Sequence, residues 1–234
     1  MLDNTIKLKR VALEVKYTGG HLYWDKCGDT VKKIELSFPE WKFTEIGAEG
    51  AQLLNQERNQ QLIYYWNRIV LLQENVENLN QFKKSSEVIN QIAQNIGVSE
   101  YSRIGNRYWF VKPVSSIEEG EKMLNLSTFL TFDINKIEGL GEKILNRNVV
   151  LITQLGDKKI RLAVNTISVT TSTPNIVLEP KEYNPTHAVL LDFDIFVDKP
   201  VMVNKFDSDD FVQKAYKILE NNALKVLNSG AINI

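Results

Sequence analysis

The sequence feature that most constrains this fold is an abrupt change of hydrophobic period near residue 75. Before it, Trp41 to Ile46, Gln52 to Asn55, Gln60 to Trp66 and Arg68 to Gln73 are short runs rich in β-formers, separated by turn-forming residues. After it, Leu79, Phe82, Ile89, Ile92 and Ile96 fall on one side of a helix of about 20 residues, which Gly97 closes at its C′ position. A four-strand meander cannot bury its apolar face alone, and an amphipathic helix directly after it supplies a cover.

The same alternation recurs along the chain. Thr5 to Tyr17 has Val11, Leu13, Val15 and Tyr17 on one strand face and Ala12, Glu14 and Lys16 on the other. Thr30 to Phe38 has helical spacing and stops at Pro39, which leaves His21 and Cys27 in an expected loop. Glu100 to Val114 reads as one strand, and Ser116 with Glu119 forms a capping-box pattern for a short helix. Asn148 to Leu155 and Lys158 to Val169 flank Gly156-Asp157 as a hairpin. Strands at Ile176 to Glu179 and Ala188 to Val197 follow, then a helix from Asp207 or Ser208 to about Asn228. Strand groups each followed by a long helix give an α+β class: two similar subdomains of mainly antiparallel strands, residues 1–130 and 131–234.

Charge and cysteine content exclude several classes. The 28 basic and 29 acidic residues leave a net charge of -1, and no dense run of Lys and Arg marks a nucleic-acid tail. Lys83-Lys84 and Lys158-Lys159 read as solvated faces. A single cysteine rules out an internal disulfide framework and suits a reducing compartment. The start lacks a secretory pattern, and no apolar stretch is long enough for a membrane span, so the expected location is the cytoplasm.

Two strands carry the candidate sites. On the first, Tyr101, Arg103, Gly105, Arg107 and Trp109 are expected on one face, with Arg103 and Arg107 about 13 Å apart. Gly105 lowers the profile between them, so Arg103, Arg107 and Trp109 form a candidate site for a phosphate or carboxylate ligand such as a nucleotide. On the second, Asp192 and Asp194 share a face about 6.6 Å apart and are candidate metal ligands for phosphoester chemistry. The competing reading joins the strands, with the arginines and aspartates neutralising each other across the sheet.

Conventional catalytic patterns are absent from the sequence. Its three His and Cys residues, His21, Cys27 and His187, lack ligand spacing for zinc, and Cys27 reads as a core residue rather than a nucleophile. Gly139-Leu-Gly141-Glu-Lys143 lacks the third glycine of a dinucleotide fingerprint. Tyr64-Tyr65-Trp66 reads as a strand with one aromatic face buried and the other under a helix, rather than a binding platform. No catalytic residue and no cofactor is assigned.

The segment Arg103-Ile-Gly105-Asn-Arg107-Tyr108 resembles the Arg-Ile-Gly-x-Arg-Tyr strand of an uncharacterised, sporadically distributed prokaryotic family of about this length. Leu13-Glu14-Val15-Lys16-Tyr17 is similar to that family's opening strand, and Leu190 to Phe196 to its closing Asp-x-Asp strand before a long helix. Asn106 replaces an aliphatic residue of the pattern, and Trp109-Phe110 replace Ile-Asn. The family brings no established activity. Its patchy distribution implies an accessory gene, of the phage-defence or toxin–antitoxin kind. The expected function is therefore a non-enzymatic interaction protein: a partner, inhibitor, sensor or structural subunit. Its expected partner is another protein, with self-association through an edge strand or the terminal helix also compatible with the pattern.

Overall fold

The computed structural model describes residues 6–126, 148–169 and 186–219. The expected strand at Ile176 to Glu179, the Gly139–Lys143 segment and the end of the last helix lie outside them. The first strand, β1 (Lys7–Lys16), leads into helix α1 (His21–Ser37). A meander follows: β2 (Lys42–Ile46), β3 (Gly50–Asn55), β4 (Gln60–Tyr65) and β5 (Arg68–Glu74). Then come α2 (Leu79–Ile96), the short β6 (Glu100–Tyr101), β7 (Arg103–Val114) and α3 (Ile117–Leu126). The remaining elements are β8 (Asn148–Leu155), β9 (Lys158–Val169), β10 (Thr186–Val197), β11 (Val201–Met202) and α4 (Ser208–Ile218).

Local chemistry fixes most of the boundaries. The Asn78 side chain caps α2 by accepting from the Asn80 N–H, and Gly97 ends it at φ 90° with its N–H on the Ala93 and Gln94 carbonyls. The Asp207 carboxylate accepts from the Asp210 N–H at the start of α4. Ser116 Oγ accepts from the Glu119 N–H, while Glu119 reaches back to Ser115 N–H at 2.6 Å. Gly156 takes a positive φ of 61° between β8 and β9, where a two-residue hairpin uses glycine.

Nine strands form one antiparallel sheet in the order β2-β3-β4-β5-β1-β7-β10-β9-β8, and β6 pairs with β11 beside it. The sheet is continuous across the expected boundary at residue 130. Strand β7 lies between β1 and β10 and is hydrogen-bonded to both.

The described helices all lie on one face. That face buries Val11, Leu13 and Val15 of β1, Ile104, Tyr108 and Phe110 of β7, and Leu191, Phe193 and Ile195 of β10. Tyr64 Oη reaches the Cys27 carbonyl of α1 at 2.7 Å, and Tyr108 Oη reaches the Val212 carbonyl of α4 at 3.1 Å. Thr166 Oγ1 of β9 bonds Glu121 of α3 at 2.6 Å. The opposite face carries the alternate residues of every strand.

Two local expectations are corrected. His21 to Cys27 is helical rather than a loop, because Trp66 packs over Gly20 and the Tyr23 hydroxyl bonds the Gly47 carbonyl at 2.8 Å. The strand expected from Glu100 to Val114 breaks at Ser102, whose N–H bonds the Lys16 carbonyl. Tyr101 therefore belongs to the small sheet, is fully buried and does not share the face of Arg103. No helix among the described residues is long and apolar enough to cross a membrane.

Candidate functional site

The sheet face that no described helix covers, its uncovered face, is built at its centre by β1, β7, β10 and β9. Register places Glu14 beside Gly105, Asp194 between Arg107 and Arg161, and Asp192 between Trp109 and Ala163. With Arg103 and Arg68, seven charged side chains therefore converge where the two sequence motifs meet.

The arginines run along β7 rather than straight across it. Arg103 lies over Gly105, where an added Cβ would come within 2.7 Å of Nη1. The missing side chain lets the guanidinium reach Asp194 Oδ2 at 2.6 Å and Glu14 Oε1 at 3.1 Å. Its carbon sits 4.6 Å from the Phe196 ring centroid. Arg107 extends in parallel over Trp109, 4.5 Å from that ring, and makes a bidentate contact with Asp192. Nε bonds Oδ1 at 2.7 Å and Nη2 bonds Oδ2 at 2.5 Å.

Asp192 also accepts from Arg161 Nη1 at 3.2 Å, and Glu14 has Arg68 Nη1 at 3.7 Å. Four guanidinium groups, those of Arg68, Arg103, Arg107 and Arg161, thus share the carboxylates of Glu14, Asp192 and Asp194. Burial pushes the Asp194 carboxyl above its ordinary value, while Arg103 pulls it back. The hydrogen bonds to Asp192 hold the Arg107 guanidinium above its own.

Arg103, Arg107 and Trp109 line one open depression of about 340 Å³ together with Ala12, Gly105, Val70 and Leu72. The three ligand candidates are therefore brought together. Their donors nonetheless face carboxylates of the same sheet face. The metal candidates Asp192 and Asp194 face guanidinium groups, and the described residues contain no group of three or more His, Cys, Asp or Glu able to hold a metal.

The other candidates are dispersed. Cys27 is buried, with its sulfur 3.2 Å from Tyr64 Oη. His21 is exposed at the start of α1, and His187 Nδ1 lies 2.9 Å from Ser168 Oγ at the far end of β10. Tyr64 faces the core, while Tyr65 is on the uncovered face beneath Arg68, 4.5 Å from its guanidinium carbon. Sequence reasoning missed Glu14, Arg68 and Arg161 as members of the network. Alternation had placed Glu14 on the correct strand face, but pairing between distant strands leaves no mark in a single sequence.

Among the described residues, the fold and site define an α+β protein with a nine-stranded antiparallel sheet, the helices on one side and, on the other, an ion-paired face that no described helix covers. No protein-family model and no curated protein matches the sequence.

Proposed function

We propose that this chain is a non-enzymatic interaction protein whose working surface is the uncovered face of the sheet, and that its partner is a protein. The observation that carries this reading is the mutual neutralisation of Arg103 and Arg107 by Glu14, Asp194 and Asp192. Neither a bare pair of cations for a phosphate nor a bare pair of carboxylates for a metal remains. The face does hold Arg-on-aromatic stacks at Trp109, Phe196 and Tyr65, a composition enriched at interface hot spots. Sharing three carboxylates among four arginines leaves a positive surplus, which suits an acidic patch on the partner. A role in a cytoplasmic accessory system, of the phage-defence or toxin–antitoxin kind, rests on the family resemblance alone.

The test is affinity capture from the native host with face-specific variants. Trp109→Ala with Tyr65→Ala should lose the captured partner. Trp24→Ala with Leu36→Ala, on exposed positions of α1, should keep it. Loss by the α1 variant alone would move the interface to the helical side.

A second reading, binding of a small anion such as a nucleotide, is favoured by the depression that joins Arg103, Arg107 and Trp109. It requires the ligand to displace Asp192 or Asp194. Calorimetric titration with nucleotides and inorganic phosphate, repeated on Arg107→Ala, decides it: no heat from wild type removes this reading.

The two-subdomain organisation takes a related form. Each half runs strand, helix, antiparallel meander returning beside its first strand, then helix: β1 to α2, and β7 to α4. We read this as one duplicated unit joined through the β1–β7 pairing.

A further inference from the structure

The two outer strands of the sheet are protected very differently. Strand β2 is five residues long, carries Lys42 and Glu45, and has a bulge between Phe43 and Glu45. Short length, charge and bulges are the usual devices that stop an edge from recruiting another strand. Strand β8 has none of them. It is eight residues long, Asn148-Val-Val-Leu-Ile-Thr-Gln-Leu155, with no charge and no proline. Among the described residues its only sheet neighbour is β9, paired in unbroken register from Asn148 to Leu155. Ile152 is 65% exposed, Leu155 49% and Val150 44%.

The order of residues on β8 says what fits the edge. About Leu151 residues 148–154 of the strand are chemically palindromic, and Leu155 lies beyond the matched stretch. In an antiparallel pair centred on a two-fold axis, residue 151+k of one copy faces 151−k of the other. Leu151 then meets Leu151, Val150 meets Ile152, Val149 meets Thr153, and Asn148 meets Gln154. Each pair matches in kind: leucine with leucine, β-branched with β-branched, amide with amide. No charge faces another, so the like-charge penalty that usually opposes self-pairing is missing.

We propose that β8 is a self-pairing edge: a second copy of this chain docks antiparallel to it about a two-fold axis through Leu151. Val150 and Ile152 point to the uncovered face, because they lie opposite Ala163 and Arg161 of β9. Two Val150–Ile152 contacts therefore form on that face and close an apolar patch otherwise left in water. Residues that meet across the axis have the same parity, so the uncovered faces of both copies turn to the same side. The dimer would display the Arg–Asp surface twice, which allows a divalent or dimeric partner to bind with avidity.

The test uses the full chain and sedimentation equilibrium over a concentration series. Wild type is expected to be a dimer. Val150→Lys with Ile152→Lys sets like charges opposite each other at both contacts and should raise the dissociation constant roughly tenfold or more. Val150→Lys with Ile152→Glu sets Lys against Glu at the same contacts and should restore dimerisation. Both positions are exposed, so circular dichroism should show native secondary structure in each monomer.

An independent arm is Leu151→Cys, which under mild oxidation should give a covalent dimer, since position 151 faces itself and Cys27 is buried. A wild-type chain that stays monomeric throughout the series overturns the proposal. So does a dimer that survives the double-lysine variant, a monomer that the charge swap fails to rescue, or a Leu151→Cys chain that gives no covalent dimer.

Discussion

At the scale of single residues, the ion pairs on the uncovered face are unequal partners. The Asp192 side chain is 7% exposed, whereas Arg107 and Arg161 are 43% and 33% exposed. Removing the acid leaves two guanidinium groups that can turn to water. Removing Arg107 leaves a carboxylate that cannot leave the sheet and keeps only its longer contact with Arg161, at 3.2 Å. Asp192→Asn should therefore cost about 1 kcal/mol, discounted for solvent screening, and Arg107→Ala about 2 kcal/mol. The double variant should cost less than the sum, and urea unfolding of all four proteins measures that coupling.

Gly105 makes a related point. An alanine there would force the Arg103 guanidinium off its path, which should cost about 1 kcal/mol in the native chain. In an Arg103→Ala background the same change should be neutral or stabilising, because only the entropic cost of glycine remains. Equal effects in both backgrounds would show that Arg103 is not what the glycine accommodates.

Asp194 adds a dependence on pH whose sign is opposite to that of the surface acids. Its native pKa lies above the unfolded value. Its contribution is fully present below the unfolded value of about 3.9 and is lost as pH rises through the native one. Glu119, held low by its hydrogen bonds from Ser115, contributes stability above the unfolded value and loses it as pH falls through the native one. The stability difference between wild type and Asp194→Asn should thus grow as pH falls towards 4, while that between wild type and Glu119→Gln shrinks. Parallel denaturant titrations at several pH values check both slopes.

At the scale of elements, legibility follows whether a boundary is set by local or distant chemistry. The C-terminal end of α2, the start of α4, the start of α3 and the β8–β9 hairpin each use a side chain or glycine within a few residues, and each was readable from the sequence. The start of α1 was not. Its first position follows Gly20, which offers no side-chain cap, and the turn is held instead by Trp66, some 45 residues away along the chain by the numbering. Nothing near His21 encodes that contact.

The break at Ser102 has the same character, since its N–H is taken by the Lys16 carbonyl of β1. The candidate site was half readable for this reason. Alternation put Arg103, Arg107, Asp192 and Asp194 on their strand faces, but only register decides which charges meet. The account of α1 predicts that Trp66→Ala frays its first turn and leaves α2 intact. Hydrogen exchange should show lost protection at residues 24 and 25 with no change across 84–94. Unchanged protection in both helices would mean that the turn is held by Tyr23 and Gly47 alone.

At the scale of the whole molecule, the repeated order of elements and the continuous sheet pull in different directions. The order strand, helix, meander, helix occurs twice among the described elements, whereas β7 is bonded both to β1 and to β10. The buried residues form one connected core that runs from Val11 and Leu13 through Tyr108 and Phe110 to Phe193 and Ile195. Helix α2 also packs against both α1 and α4, and Ser86 of α2 bonds Ser208 of α4 at 3.0 Å. Separating residues 1–130 from 131–234 would expose the facing edges of β7 and β10 and strip the apolar residues behind them.

The expected consequence is a single cooperative transition, with far-UV and near-UV signals coincident and calorimetric and van't Hoff enthalpies equal. Self-pairing through β8 would add a dependence of the midpoint on concentration without splitting the transition, because that edge lies outside the shared core. Residues 1–130 expressed alone should then fail to reach a native-like state, since the β10-facing edge of β7 would be left open. Two resolved transitions, or a well-folded 1–130 fragment, would instead show that the parts on either side of residue 130 fold independently and that the continuous sheet is a docking of finished domains.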